Sequence, residues 1–178
     1  MYKGLLAAVV GTVALTASFC GGQEKGKDAK SQPGSDKEFV QKASEDGLAE
    51  VNHGNLAARK ASRKDVREFA QRMVKDHGKA NAELLALANK KQLKVARDMG
   101  KEHKAMQDKL AGMSGEDFDR HYIHHMVEGH EKAVALFQGQ TQSGKDEDLK
   151  KFAEKSLPVL QEHLKMARDI HGRLKEKK

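Results

Sequence analysis

Cysteine occurs once in the 178 residues, proline twice and tryptophan not at all. A lone thiol excludes a disulfide framework, a cysteine-rich zinc site and an internal redox pair. β-Branched side chains are scarce as well: residues 20–178 hold eight Val, two Ile and one Thr beside 18 Ala and 13 Leu. That stock disfavours a sheet and favours helices. The signatures of nucleophilic and phosphate chemistry are also missing, with no Gly-x-Ser-x-Gly elbow and no phosphate loop. Once residues 1–19 are set aside, 32 basic side chains face 26 acidic ones, a net charge of +6. The cations alternate with acids, as in Lys37-Glu38, Arg67-Glu68 and Lys145-Asp146-Glu147-Asp148, and no basic run is interleaved with aromatics. The pattern reads as a solvated helix surface, and nucleic acid is not expected as a partner.

What is present begins with an address. Met1-Tyr2-Lys3 carries one positive charge, residues 4–17 carry none, and Cys20 follows. The apolar stretch is shorter than the roughly 20 residues that span a bilayer, but it has the length of a signal-peptide core. Residues 1–19 are expected to export the chain to the bacterial cell envelope. Cys20, placed just ahead of Gly21-Gly22, resembles the lipidated cysteine of a bacterial lipoprotein, which would anchor the protein to a membrane. Phe19 is bulkier than that signal normally has, and cleavage after Ser18 to give a soluble periplasmic or secreted protein is the competing expectation. Residues 20–37 hold a single apolar side chain, Ala29, after the cysteine, with four Gly and Pro33. They read as a disordered linker that cannot offset its ordering entropy.

Residues 38–175 form the expected folded domain. Apolar residues recur there at helical spacing. The first stripe is Val40, Ala43, Gly47, Glu50, Gly54, Ala57 and Ala61, on a helix expected from about residue 38 and opened by Ser35 or Asp36. The second is Val66, Phe69, Met73, His77, Ala80, Leu84 and Leu87, following the capping-box-like run Ser62-Arg63-Lys64-Asp65. Residues 91–113 form a long connection with a short amphipathic helix over 102–111. The third long helix follows Ser114-Gly115-Glu116-Asp117 with Asp119, Tyr122, Ile123, Met126, His130, Ala133 and Phe137. The fourth, capped by Asp146, carries Leu149, Phe152, Leu157, Leu160, His163, Ala167 and Ile170, and Pro158 is expected to bend or loosen it. Two short loops and one long connection predict an all-α four-helix bundle with a single crossover.

The chain also echoes itself. Residues 66–82 and 119–135 align without gaps at an offset of 53 with seven identities, among them Met73/Met126 and His77/His130. Phe39, Val40, Ala43, Gly47, Glu50, Val51, Gly54, Leu56 and Ala57, then Phe69, Ala70, Met73, Val74, Asp76 and His77, resemble the bacterial domain-of-unknown-function 4142 family. So do Phe118, Asp119, Tyr122, Met126, Val127, His130, Ala133, Val134, Leu136 and Phe137, followed by Phe152, Ala153, Leu157, Pro158, Leu160, His163, Leu164 and Ala167. The resemblance covers residues 38–172. It implies an exported, ferritin-like four-helix bundle of the periplasmic or outer-membrane class. It brings no established activity or catalytic residues.

Glu50, His77, His130 and His163 fall on the inward stripes of the four long helices. Counted from the turns, all four lie near mid-bundle. Imidazole and carboxylate converging there can hold a transition metal, copper or iron, and Met73 and Met126 add thioethers one turn away. A di-iron centre needs two Glu-x-x-His pairs, whereas the chain has one, Glu50-Val51-Asn52-His53, whose ends face different sides of the seam. A hydrogen-bonded polar layer of the histidines with Glu50, Asp76 and Tyr122, setting helix register, is the competing expectation. His121 and His125, at i and i+4, read as a surface chelating pair, and Met99, Met106 and Met113 as a seam on the bundle. The leading functional reading is a non-catalytic binding, structural or stress-related module of the envelope, with a protein or envelope-polymer partner. Its alternatives are a periplasmic metal-binding protein and a metal-dependent oxidoreductase.

Overall fold

A computed structural model describes residues 35–175. The expected leader, Cys20 and most of the linker lie outside the described residues. The described chain is all-α: α1 (Asp36–Lys60), α2 (Lys64–Lys90), α3 (Gly100–Ala111), α4 (Gly115–Ser143) and α5 (Glu147–Lys175).

Each start has its own chemistry. A capping box opens α1: the Glu38 N–H donates to Ser35 Oγ (3.4 Å) and the Ser35 N–H to Glu38 Oε2 (2.6 Å). The helix therefore begins two residues ahead of the expected start. The expected capping box of α2 does not form. Its N-cap, Arg63, makes no side-chain cap bond. Instead the buried carboxylate of Asp119, from α4, accepts from the Ser62 N–H (3.1 Å), the Ser62 hydroxyl (2.5 Å) and the Arg63 N–H (2.9 Å). A negative group at the positive end of the α2 dipole is a favourable placement. Asp146 caps α5 as expected, accepting from the Asp148 and Leu149 N–H groups. That helix continues unbroken across Pro158.

Hydrogen bonds between distant residues set the directions. Asp36, at the start of α1, accepts from Gln140 in the last turn of α4 and from the Lys145 N–H just past its end, so α1 and α4 are antiparallel. Arg173 near the end of α5 reaches Asp65 at the start of α2, so those two are antiparallel as well. With the tight α1–α2 and α4–α5 turns, every adjacent pair is antiparallel, while α2 and α4 run the same way. The chain must travel back along the bundle between them, and α3 makes that return along α1. The Ala96 N–H donates to Ser44 Oγ (2.8 Å), and Lys60 donates to the Ala111 carbonyl (2.5 Å). This is the expected bundle with one crossover. The α1–α2 pair approaches closely at Gly54, where a Cβ would stand 2.9 Å from Val74 Cγ2 and 3.1 Å from the Ala70 carbonyl.

The apolar core comes in two pieces. One, around Leu56, Phe69, Met73, Tyr122, Met126 and Ile170, fills the end nearest the α1–α2 turn. The other, around Phe39, Leu84, Phe137, Leu149 and Phe152, fills the opposite end. Met106 and Met113 of the expected seam pack against the first, whereas its third residue, Met99, stands at the N-cap of α3. Between the two pieces lies a buried polar belt of Glu50, His53, His77, His130 and His163.

Candidate metal centre

His77, His130 and His163 each present one ring nitrogen within 4.8 Å of the other two, and all three side chains are buried. Their rings stand at 5.5, 5.4 and 5.5 Å between centroids, an almost equilateral triangle across α2, α4 and α5. The equivalence of His77 and His130 in the sequence echo thus becomes a shared level of the bundle.

Hydrogen bonds fix which nitrogens are free. His130 Nδ1 donates to the Met126 carbonyl one turn back (2.8 Å), because a carbonyl only accepts. Its Nε2 is left with a lone pair and no partner. His163 Nε2 donates to Asp76 Oδ2 (3.0 Å), leaving Nδ1 likewise unpartnered. His77 Nε2 has no partner either. Of the expected hydrogen-bonded polar layer only the His163–Asp76 bond forms: the three rings face each other without bonding, and Glu50 Oε2 and the Tyr122 hydroxyl bond none of them. Each buried, unpartnered nitrogen costs about 1–3 kcal/mol.

Protons are not a ready solution. Burial holds the imidazoles in their neutral form, pushing His130 and His163 down to about 4 and His77 well below its ordinary value. His77 is further disfavoured as a cation by its two neighbouring imidazoles. Neutral rings with lone pairs at one point are the form in which histidine binds a metal. Asp76 supplies the outer support. Burial alone would raise its pKa, but donation from His163 and from Arg72 Nε (3.2 Å) outweighs that and keeps it ionised.

Glu50 stands beside this triad. Its Oε1 lies 3.8 Å from His130 Nδ1, whose proton is already committed to Met126. Burial, aided by Asp46, pushes the Glu50 carboxyl up to about 8, so the approach is not an ion pair at neutral pH. Its Oε2 has no partner, nor does the buried hydroxyl of Tyr122. Met73 and Met126 pack into the neighbouring apolar cluster. The expected pairing of His121 with His125 is replaced by another. His121 is exposed and donates to its own helix at the Asp117 carbonyl, whereas His125 meets His53 and His103. His103 carried no expectation of its own, because its neighbours are set by the path of the crossover.

The geometry invites comparison with known proteins. The family described as Domain of unknown function (DUF4142) matches residues 22–170. This chain belongs to that family. No curated protein matches it. Among solved structures, a DUF305 fragment from Deinococcus radiodurans superposes with a TM-score of 0.69 at 14% identity, covering 77% of this chain and 95% of its own. A DUF305 protein from Streptomyces coelicolor, named as a candidate secreted protein, gives 0.67 at 15% identity and covers 76% and 91%. CopM in its Cu(II)-bound form gives 0.68 at 17% identity and covers 79% and 97%. At these identities the likeness establishes the shared bundle fold of this DUF4142 member. No helix among the described residues is long and apolar enough to cross a membrane.

Proposed function

We propose that this protein is an envelope metal-binding bundle that takes a transition-metal ion of the copper class on His77, His130 and His163, without catalysis of its own. The observation that carries the reading is the convergence of three buried imidazoles whose free nitrogens have no partner, two of them with the tautomer set by a hydrogen bond on the far side. Imidazole donors suit copper, and copper lies at the top of the affinity order for nitrogen sites. The Asp76–His163 bond has the form of the carboxylate support that orients metal-bound histidines. The Cu(II)-bound state of the structurally similar CopM points the same way. Met73 and Met126, one turn back on α2 and α4, would offer thioethers to Cu(I).

The test is a Cu(II) titration of untagged protein in a His121→Ala, His124→Ala background, which removes surface chelation. Copper should raise the melting temperature more than Mg²⁺ or Ca²⁺, by about 2.7 kcal/mol of stability at a hundredfold excess over Kd. His130→Ala should lose one bound equivalent. Retention of every equivalent in His77→Ala and His130→Ala would overturn the reading.

The envelope location rests on residues 1–20. If Cys20 is the lipidated anchor, Cys20→Ser moves the protein from the membrane to the soluble envelope fraction. A wild-type protein that is already soluble, with its N-terminus after Ser18, would instead make it a free periplasmic or secreted protein.

A further inference from the structure

Three other histidines repeat the arrangement a short way along the same cleft. His53 on α1, His103 on α3 and His125 on α4 each offer one ring nitrogen within 4.8 Å of the others. Their rings stand 6.0, 5.0 and 6.4 Å apart. Two tautomers are set here too. His53 Nε2 donates to the His103 carbonyl (3.0 Å), which leaves Nδ1 buried and without a partner in a residue only 1% exposed. His103 Nε2 donates to Asp46 Oδ1 (3.0 Å), which frees its Nδ1. Asp46 is itself held by Lys42 at 3.0 Å. Asp46 thus stands to His103 as Asp76 stands to His163: a carboxylate behind the ring orients the lone pair forward. Six of the nine histidines of the chain are in these two triads.

We infer that His53, His103 and His125 form a second metal site, for a divalent ion of the Zn(II) or Cu(II) class, that pins the crossover helix α3 to the bundle. Three imidazoles with no sulfur in the set favour borderline divalent ions. The site differs from the first in what it joins. His77, His130 and His163 come from three long helices that pack together anyway. His103 comes from α3, whose one fully buried side chain is Leu110. An ion held by His103 would close a loop between α3, α1 and α4 and remove the freedom of the long 91–114 connection. His53, His103 and His125 line one cleft of about 430 Å³ together with Glu50 and with His77 and His163 of the first triad.

Zn(II) and Cu(II) serve as probes, on untagged protein in the His121→Ala, His124→Ala background, with bound metal counted after gel filtration and amide exchange followed along α3. Full loading should give about two equivalents per chain, and metal should slow exchange over residues 100–111 severalfold. His103→Ala should lose one equivalent together with the protection of α3, and His103→Gln, which keeps the size of the side chain, should do the same. His130→Ala should lose the other equivalent and leave the protection intact. The inference is overturned if His103→Ala and His103→Gln retain all bound metal, or if metal leaves exchange in α3 unchanged. The reading of the first site fails separately, if His130→Ala retains its metal while His103→Ala loses one equivalent.

Discussion

Asp76 Oδ2 accepts the Nε2 proton of His163 at 3.0 Å, and the same oxygen receives Arg72 Nε at 3.2 Å. Arg72 is braced in turn by Glu162 at 2.8 Å. This chain of bonds runs from the surface to the buried triad and ends on the one ring nitrogen that must carry a hydrogen if the other is to bind a metal. Removing Asp76 should loosen His163 without touching His77 or His130. Asp76→Ala is expected to weaken copper binding about 10–100-fold, the usual effect of losing a carboxylate behind a liganding histidine. Competition against a chromophoric chelator measures it. Unchanged affinity would mean that His163 is not a ligand.

His130 and His163 should respond in opposite ways to replacement by leucine. The Nε2 of His130 is buried without a partner, and its Nδ1 bonds only a carbonyl of its own helix. Leucine there removes an unsatisfied buried nitrogen and takes a hydrogen bond from no other side chain, so the metal-free protein should keep or gain stability. At His163 leucine strips the Asp76 carboxylate of a buried donor, at a cost of about 1–3 kcal/mol. Urea unfolding of the metal-free variants decides. A clear loss in His130→Leu would show that a partner satisfies that ring.

The bundle and the level of the first triad were legible because both depend on local patterns. Stripes at near-heptad spacing give each helix one buried face, and counting from the turns gives depth, so Glu50, His77, His130 and His163 could be set near one plane. Periodicity does not say which neighbour a face meets. That Asp119 caps α2, or that His103 reaches His53, depends on where α3 lies along α1. That path is held by long-range bonds such as Ser44 to Ala96, which leave no trace in the spacing of residues. The pairing of His125 with His121 failed for the same reason. An i,i+4 relation puts two rings on one side of a helix, but α4 is rotated so that only His125 turns toward α1 and α3.

Two glycines in the first hairpin should give opposite results on conversion to alanine. A methyl at Gly54 would meet Val74 Cγ2 and the Ala70 carbonyl, and a backbone carbonyl has no rotamer by which to yield. Gly54→Ala should destabilise by about 1–3 kcal/mol as α1 and α2 are forced apart. Gly78 lies within α2, where a Cβ would meet nothing within 4 Å beyond its own helix backbone. Gly78→Ala should stabilise by about 0.5–1 kcal/mol through helix propensity alone. Thermal and urea unfolding of the two variants measures both effects, and a neutral Gly54→Ala would contradict the close α1–α2 contact.

The pH dependence of the metal-free protein follows from groups pulled in opposite directions. His130 and His163 sit at about 4 when folded, against an ordinary value near 6.5, and His53 and His77 are also depressed by burial. The unfolded chain binds their protons first, so this contribution is full above about 6.5 and is lost as pH falls toward 4. Glu50 works the other way. Its folded value of about 8 exceeds the ordinary 4.5, so the stability it lends is full below 4.5 and is lost as pH rises through 8. Below 6.5 the several histidines outweigh the single carboxyl, and above 6.5 Glu50 acts alone, which places the stability maximum near 6.5. Glu50→Gln keeps the neutral shape of the protonated carboxyl and removes its titration. Melting curves from pH 4 to 9 should therefore show the wild type declining on both sides, while Glu50→Gln declines on the acid side and stays flat between 6.5 and 8. A wild-type alkaline limb that persists in Glu50→Gln would show that Glu50 is already ionised in the folded protein.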